Sequence, residues 1–255
     1  PVKEVAQTGA VIGREFSFEL LAALVSLTED DLSDALGKLV AADLVLQRGT
    51  APDSTYVFKH ALVQDAAYES LLRSRRQVLH ARSAQALEER FPDLVRAEPE
   101  LVARHWANAA MPDKAITYWA MAGQAAVARS ATTEAITHFR AALSEIANLP
   151  ESAERDVQEL AVQRAMGSAM VAAHGFAAPE TDRAFARAAE LGQQLQVGAR
   201  LFPVLWGRFI ALHIAGQLLA GHRTAREFVR LARRAGDTGD RLVGERCHPF
   251  QRRGW

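Results

Sequence analysis

Residues 114–143 run KAITYWAMAGQAAVARSATTEAITHFRAAL, and in this stretch the chain says nearly the same thing twice. Lys114-Ala115-Ile116-Thr117-Tyr118-Trp119 is echoed by Glu134-Ala135-Ile136-Thr137-His138-Phe139, with Ala122 and Ala142 in matching places. Each copy carries its apolar residues at helical spacing, so two similar helices in succession are expected. Within 119–150 the order is Trp119, Gly123, Ala135, Phe139, Ala142, Pro150. Small residues in that order let paired helices approach closely while an aromatic ring fills the groove between them.

A weaker copy lies at Trp206, Gly221, Ala225, Phe228 and Ala232. Together the copies follow the tetratricopeptide pattern, and residues 99–243 are predicted to be stacked helical hairpins. An ordinary alanine-rich bundle would show similar periodicity, but the doubled segment favours the repeat. Helices are expected over Arg155–Ala173 and Pro179–Gln196, with Gly175 suited to a helix C-cap and Pro179 to a first turn. Trp106, Trp119 and Trp206 are expected to be packing aromatics. Gly244–Trp255 has no helical period, holds Pro249 and is predicted to be an irregular tail.

Working toward the start, the period changes. Residues 3–12 predict a short helix closed by Gly13-Arg14, and Ser17 is a candidate N-cap for Phe18–Val25. Thr28-Glu29-Asp30-Asp31 has the form of a capping box, and Leu32, Ala35, Leu36, Leu39 and Val40 then mark one buried face of a helix ending near Ala42. Leu44–Arg48 and Thr55–Lys59 are β-rich runs separated by the turn formers of Gly49–Ser54. Three short helices followed by a hairpin is the winged-helix order, and residues 1–75 are assigned to that fold. From Ala61 a single helical run is expected through Leu62, Ala66 and Leu71, past Val78 to Leu87, where Pro92 stops it; residues 76–98 form a linker helix. The fold class is therefore mainly α, a winged helix with a small β-hairpin followed by a tetratricopeptide-like superhelix.

Composition narrows function. Of 255 residues, 49% are hydrophobic and 24% charged, with 30 basic against 30 acidic side chains. A balanced chain lacks the basic excess of a general nucleic-acid binder. The helix that would enter a DNA groove carries Glu29, Asp30, Asp31 and Asp34 against a lone Lys38, a surface that repels phosphate. Its role is expected to be protein or intramolecular docking. The single cysteine, Cys247, excludes an internal disulfide framework and a multi-cysteine zinc site, and it fits a reducing cytoplasm. No apolar run approaches the roughly 18 residues that span a bilayer. There is no phosphate-binding Gly-x-x-x-x-Gly-Lys loop, since Gly37-Lys38 falls inside a helix, and neither a nucleophile elbow nor a His-Glu-x-x-His helix is present. No catalytic or metal site is therefore expected. The start at Pro1, without an initiator methionine, predicts an excised piece of a longer protein.

The stretch Tyr56-Val-Phe-Lys-His60-Ala-Leu-Val-Gln-Asp-Ala-Ala-Tyr68, running on through Arg73-Ser-Arg-Arg to Arg82, resembles bacterial signalling ATPases of the STAND type. The likeness is nearest to proteins that join a class III adenylate/guanylate cyclase to an AAA-like ATPase and tetratricopeptide repeats. Gly9-Ala-Val-Ile-Gly-Arg-Glu-Phe16 and Phe202-Pro-Val-Leu-Trp206 belong to the same resemblance, which covers about residues 2–243. It implies a regulatory and interaction segment lying just after an ATPase domain, with ATP or ADP bound by the parent and no cofactor in the segment itself. It also implies that the repeats take a protein or peptide ligand and that His60 senses a nucleotide phosphate. Related scaffolds occur in transcriptional activators of the maltose-regulator type, so an ATP-dependent transcriptional regulator is the alternative. Arg73, Arg75, Arg76 and Arg82 form a basic run suited to an acidic partner or to a solvated face. His80, His105, His138, His174, His213 and His222 show no spacing of metal ligands.

Overall fold

The computed structural model describes residues 1–50 and 53–235. The described chain is mainly helical with one small antiparallel sheet, and it divides into two compact units, Pro1–Tyr118 and the chain from Trp119 onward.

The first unit opens with α1 (Val2–Ile12), β1 (Glu15–Ser17), α2 (Phe18–Leu24), α3 (Glu29–Ala41), β2 (Val45–Arg48) and β3 (Thr55–Phe58). Both expected caps form. The Ser17 hydroxyl accepts from the Leu20 N–H at 3.1 Å and the Thr28 hydroxyl from the Asp31 N–H at 3.2 Å, each satisfying a donor that the first helical turn leaves unpaired. α3 buries Leu32, Ala35, Leu36 and Leu39, the stripe its period requires.

The sheet contains a strand absent from the sequence reading. β1 pairs antiparallel with β3, giving the order β1-β3-β2. Three residues are too few to display a period of two, so this strand exists only through its partner. Its Phe16 lies opposite Tyr56 and its ring packs 5.8 Å from Tyr56 and 5.6 Å from Phe58. α1 rests directly on that ring, because a methyl group at Gly9 would come within 2.8 Å of it.

The single helix expected from Ala61 to Leu87 is two, α4 (Ala61–Glu69) and α5 (Arg73–Arg90). The Ser70 hydroxyl donates to the Ala67 carbonyl at 2.6 Å, and the Leu71 N–H tightens onto the Tyr68 carbonyl at 3.1 Å. This turn carries Leu71 into a buried cluster with Val11 and Leu79. Apolar burial there offsets the broken helical bonds. α6 (Pro92–Ala97) and α7 (Pro99–Asn108) follow, each opened by its proline, so Pro92 begins a helix as well as ending one.

α8 (Pro112–Ala128) crosses the division between the units. The second unit continues with α9 (Thr132–Ala147), α10 (Ala153–His174), α11 (Pro179–Gln194), a 3-10 turn (Gly198–Leu201), α12 (Phe202–Ile214) and α13 (Leu218–Ala235). From α9 to α13 each helix packs on the next, and the short connections make neighbours antiparallel. Gly175 ends α10 at φ 82°, a conformation that costs an L side chain strain. Aromatic rings sit against glycines. A methyl at Gly123 would overlap the Phe139 ring, while methyls at Gly167 and Gly207 would approach the Phe185 ring to 2.7 and 2.8 Å. Ala135 and Ala142 are fully buried.

The third copy departs from its reading. A methyl at Gly221 would meet only ordinary contacts, the nearest 3.7 Å away at the Leu212 Cβ, and Gly207 supplies the close approach instead. Trp206 is 40% exposed and packs only in part, beside Phe209. Residues 244–255, with Cys247 and Pro249, lie outside the described residues.

Candidate functional site

In the first unit the C-terminal end of α1, α4, α5 and α7 surround a cleft of about 410 Å³. Arg14 follows α1, Asp65 and Tyr68 come from α4, His80 from α5, and Arg104 and His105 from α7. The amides of Gln64 and Asn108 complete its polar lining. Asn108 stands one helical turn beyond Arg104, which places both on one face of α7.

At its inner side runs a chain of three hydrogen-bonding groups. The Tyr68 hydroxyl lies 3.0 Å from Nε2 of His80, and Nδ1 of His80 lies 2.9 Å from Nδ1 of His105. Both imidazoles are buried. Burial and then the Arg76 charge pull His80 down to about 4, and burial, His80 and Arg104 pull His105 down to about 3. Both rings are therefore neutral at physiological pH, and a single proton is shared between the two Nδ1 atoms. Two orderings satisfy the chain. In one, Tyr68 donates to Nε2 of His80, Nδ1–H of His80 donates to Nδ1 of His105, and His105 carries its one ring proton on Nε2. In the other every bond is reversed. The pair is thus a relay whose tautomer can be set from either end.

The sequence listed these histidines without joining them. The usable signal was burial pattern: His80 shares its stripe with Ala84 and Leu87, and His105 lies among Val102 and Trp106. A histidine on an apolar stripe must find a partner, although its identity cannot be read from one helix.

The residues singled out earlier are placed separately. His60 is exposed at the start of α4, where its side chain makes no capping bond. Arg73 and Arg75 are exposed, Arg82 is half-buried, and Arg76 is folded over the Tyr68 ring at 4.9 Å. The acids Glu29, Asp30, Asp31 and Asp34 are all exposed on α3, and Asp34 is bonded to Lys38 at 2.6 Å. No group of three or more metal-ligating side chains occurs among the described residues, and none of the described helices is long and apolar enough to cross a membrane.

The second unit holds an open groove of about 560 Å³ between α8, α9 and α10. Val127, Phe139, Ala165, Ala169 and Ala172 form its apolar lining, with Gln124 and Ser168 among its polar members.

No family model and no solved structure matches the chain. It is similar to an uncharacterized protein of Rhizobium meliloti (strain 1021), 26% identical over 208 residues that cover 80% of this chain but only 20% of the relative.

Proposed function

We propose that this chain is the regulatory and protein-interaction segment of a larger signalling ATPase, linked to a class III adenylate/guanylate cyclase, and that it performs no chemistry itself. The observation that carries the reading is the groove over α8–α10, an apolar floor with polar edges that suits a peptide laid along stacked helices. The glycine–ring contacts at Phe139 and Phe185 support a tetratricopeptide-like superhelix. The order α1-β1-α2-α3-β2-β3 with sheet order β1-β3-β2 supports a winged helix before it. The exposed His60 is available to a neighbouring nucleotide-binding domain, as the STAND resemblance implies, and Arg73 and Arg75 are available to an acidic surface. The segment works in the cytoplasm, with the adjacent ATPase domain and a protein or peptide ligand as its partners.

The test belongs in the longer protein. Val127→Glu combined with Ser168→Glu alters exposed groove positions, so folding should be retained. The double variant should lose the signal-dependent rise in nucleotide turnover while basal turnover and melting temperature stay as in wild type. An unaltered response would refute the groove as the receiving surface.

A further inference from the structure

Arg14 and Arg104 face the same cleft in the first unit, and neither guanidinium has an ion-pair partner among the described residues. The only acid in the lining is Asp65. Two fixed cations against one carboxylate leave the cleft positive, although the chain as a whole is balanced. Nearby, the amides of Asn108 and Gln64 donate one N–H each to the Arg104 and Ala10 carbonyls and have a second N–H left to offer. His105 lines the cleft, its Nδ1 is occupied by His80, and its Nε2 has no hydrogen-bond partner among the described residues.

We propose that this cleft binds a small molecule through a compact anionic group, a phosphate or a pair of carboxylates, held between Arg14 and Arg104 with His105 Nε2–H as a further donor. Guanidinium is the side chain best matched to such oxyanions, since its planar fork bonds two oxygens at once. The relay behind the cleft suits the role. An anion at His105 selects the ordering in which Nε2 of His105 carries a proton, Nδ1 of His105 accepts from His80, and Nε2 of His80 accepts from Tyr68. Tyr68, on α4, therefore acts as a positioning residue for a donor on α7. The Asp65 carboxylate favours a ligand that carries a hydroxyl or amine beside its anionic group over one without it.

The experiment uses the full chain with ¹⁵N-labelled histidine. Long-range imidazole spectra are recorded as inorganic phosphate or succinate is added at constant ionic strength, with chloride as the control. The expected result is a saturable shift of the His80 and His105 signals with one of the two anions, the bound His105 showing the Nε2–H pattern. Arg14→Gln and Arg104→Gln should each weaken that binding roughly tenfold or more. Both side chains are exposed, so these variants should fold, and unchanged amide spectra away from the cleft would show it. Arg82→Gln, outside the lining, should bind as wild type, and Tyr68→Phe should weaken binding while shifting the tautomer balance of His105. Phosphate binding more tightly names a phosphoryl ligand, and succinate binding more tightly names a dicarboxylate. The proposal is overturned if neither anion gives a saturable response at millimolar concentration, if chloride reproduces the shifts, or if Arg82→Gln weakens binding as much as the cleft variants.

Discussion

Gly123 sets two small effects against each other. Alanine is a better helix former than glycine by about 1 kcal/mol, yet a methyl here would overlap the Phe139 ring, which is itself buried and cannot swing away. Overpacking costs on the order of 1–3 kcal/mol, so Gly123→Ala should lower stability in spite of its propensity. Ala135→Leu and Ala142→Leu should do the same to at least that extent, because both sites are fully enclosed. Melting curves like wild type for these variants would show that the helices approach elsewhere. The histidine pair adds a pH dependence whose sign follows from burial. Both rings titrate well below the usual 6.5 when folded, so below that pH the unfolded chain takes up protons that the native chain refuses. Their contribution is complete above about pH 6.5 and is lost as pH falls toward 4 and 3. Denaturation between pH 7 and 4 should be linked to uptake of about two protons beyond the carboxylate background. His80→Leu with His105→Leu should flatten that slope, and an unchanged slope would mean that the rings are not buried as a pair. The sensor role proposed for His60 is tested in a longer protein that carries the proposed ATPase domain. If His60 donates to a phosphate of bound ADP, His60→Ala removes a contact worth roughly 1.5–3 kcal/mol and weakens ADP retention about tenfold to a hundredfold; unchanged ADP affinity would refute the sensor role.

Elements are held by their ends and by a few cross-links. α3 begins at Thr28, whose hydroxyl both accepts from the Asp31 N–H and donates to the Asp31 carboxylate at 2.7 Å. Thr28→Ala should cost about 1 kcal/mol, read by chemical denaturation, whereas Thr28→Ser should cost little. α10 and α11 are joined by Glu159, whose two oxygens accept from the Arg187 Nε and Nη2 at 2.7 and 2.9 Å. The Arg187 hydrogen bonds hold the Glu159 carboxyl below its usual range despite the opposing effect of burial. That contribution is present above the usual carboxylate range and disappears as pH falls through the lowered folded value. Glu159→Gln should destabilise by about 1–2 kcal/mol, less than for a fully buried pair, because Arg187 keeps access to water. The break between α4 and α5 belongs to this scale too. It turns the chain at Ser70 so that Leu71 is buried, and it sets Tyr68 and His80 within bonding distance.

For the whole molecule, charge decides more than shape. A three-stranded sheet beside three helices could suggest DNA, but α3 presents four exposed acids and a single lysine already bonded to Asp34. Sub-micromolar, sequence-dependent binding to duplex DNA at physiological salt is not expected, and a clear anisotropy change would overturn that. Much of the fold was legible from residue order alone. The caps at Ser17 and Thr28, the buried stripe of α3, the hairpin and the turn at Gly175 all rest on interactions within an element or between close neighbours in sequence, and local propensity and period encode those directly. The elements that escaped depend on distant partners. β1 is a strand because β3 lies beside it, about forty residues on. α4 and α5 share an unbroken apolar period, so only the burial of Leu71 against Val11 separates them. The cleft is the fullest case, since Arg14, Tyr68, His80 and His105 come from four segments and no spacing in the chain relates them. The sequence by itself determined the capped starts of α2 and α3 and which helix faces are apolar, because those follow from local backbone hydrogen bonding and side-chain period. Tertiary structure alone decided which polar groups meet, because a buried imidazole takes its partner and its protonation from whatever the packing of other helices brings to it.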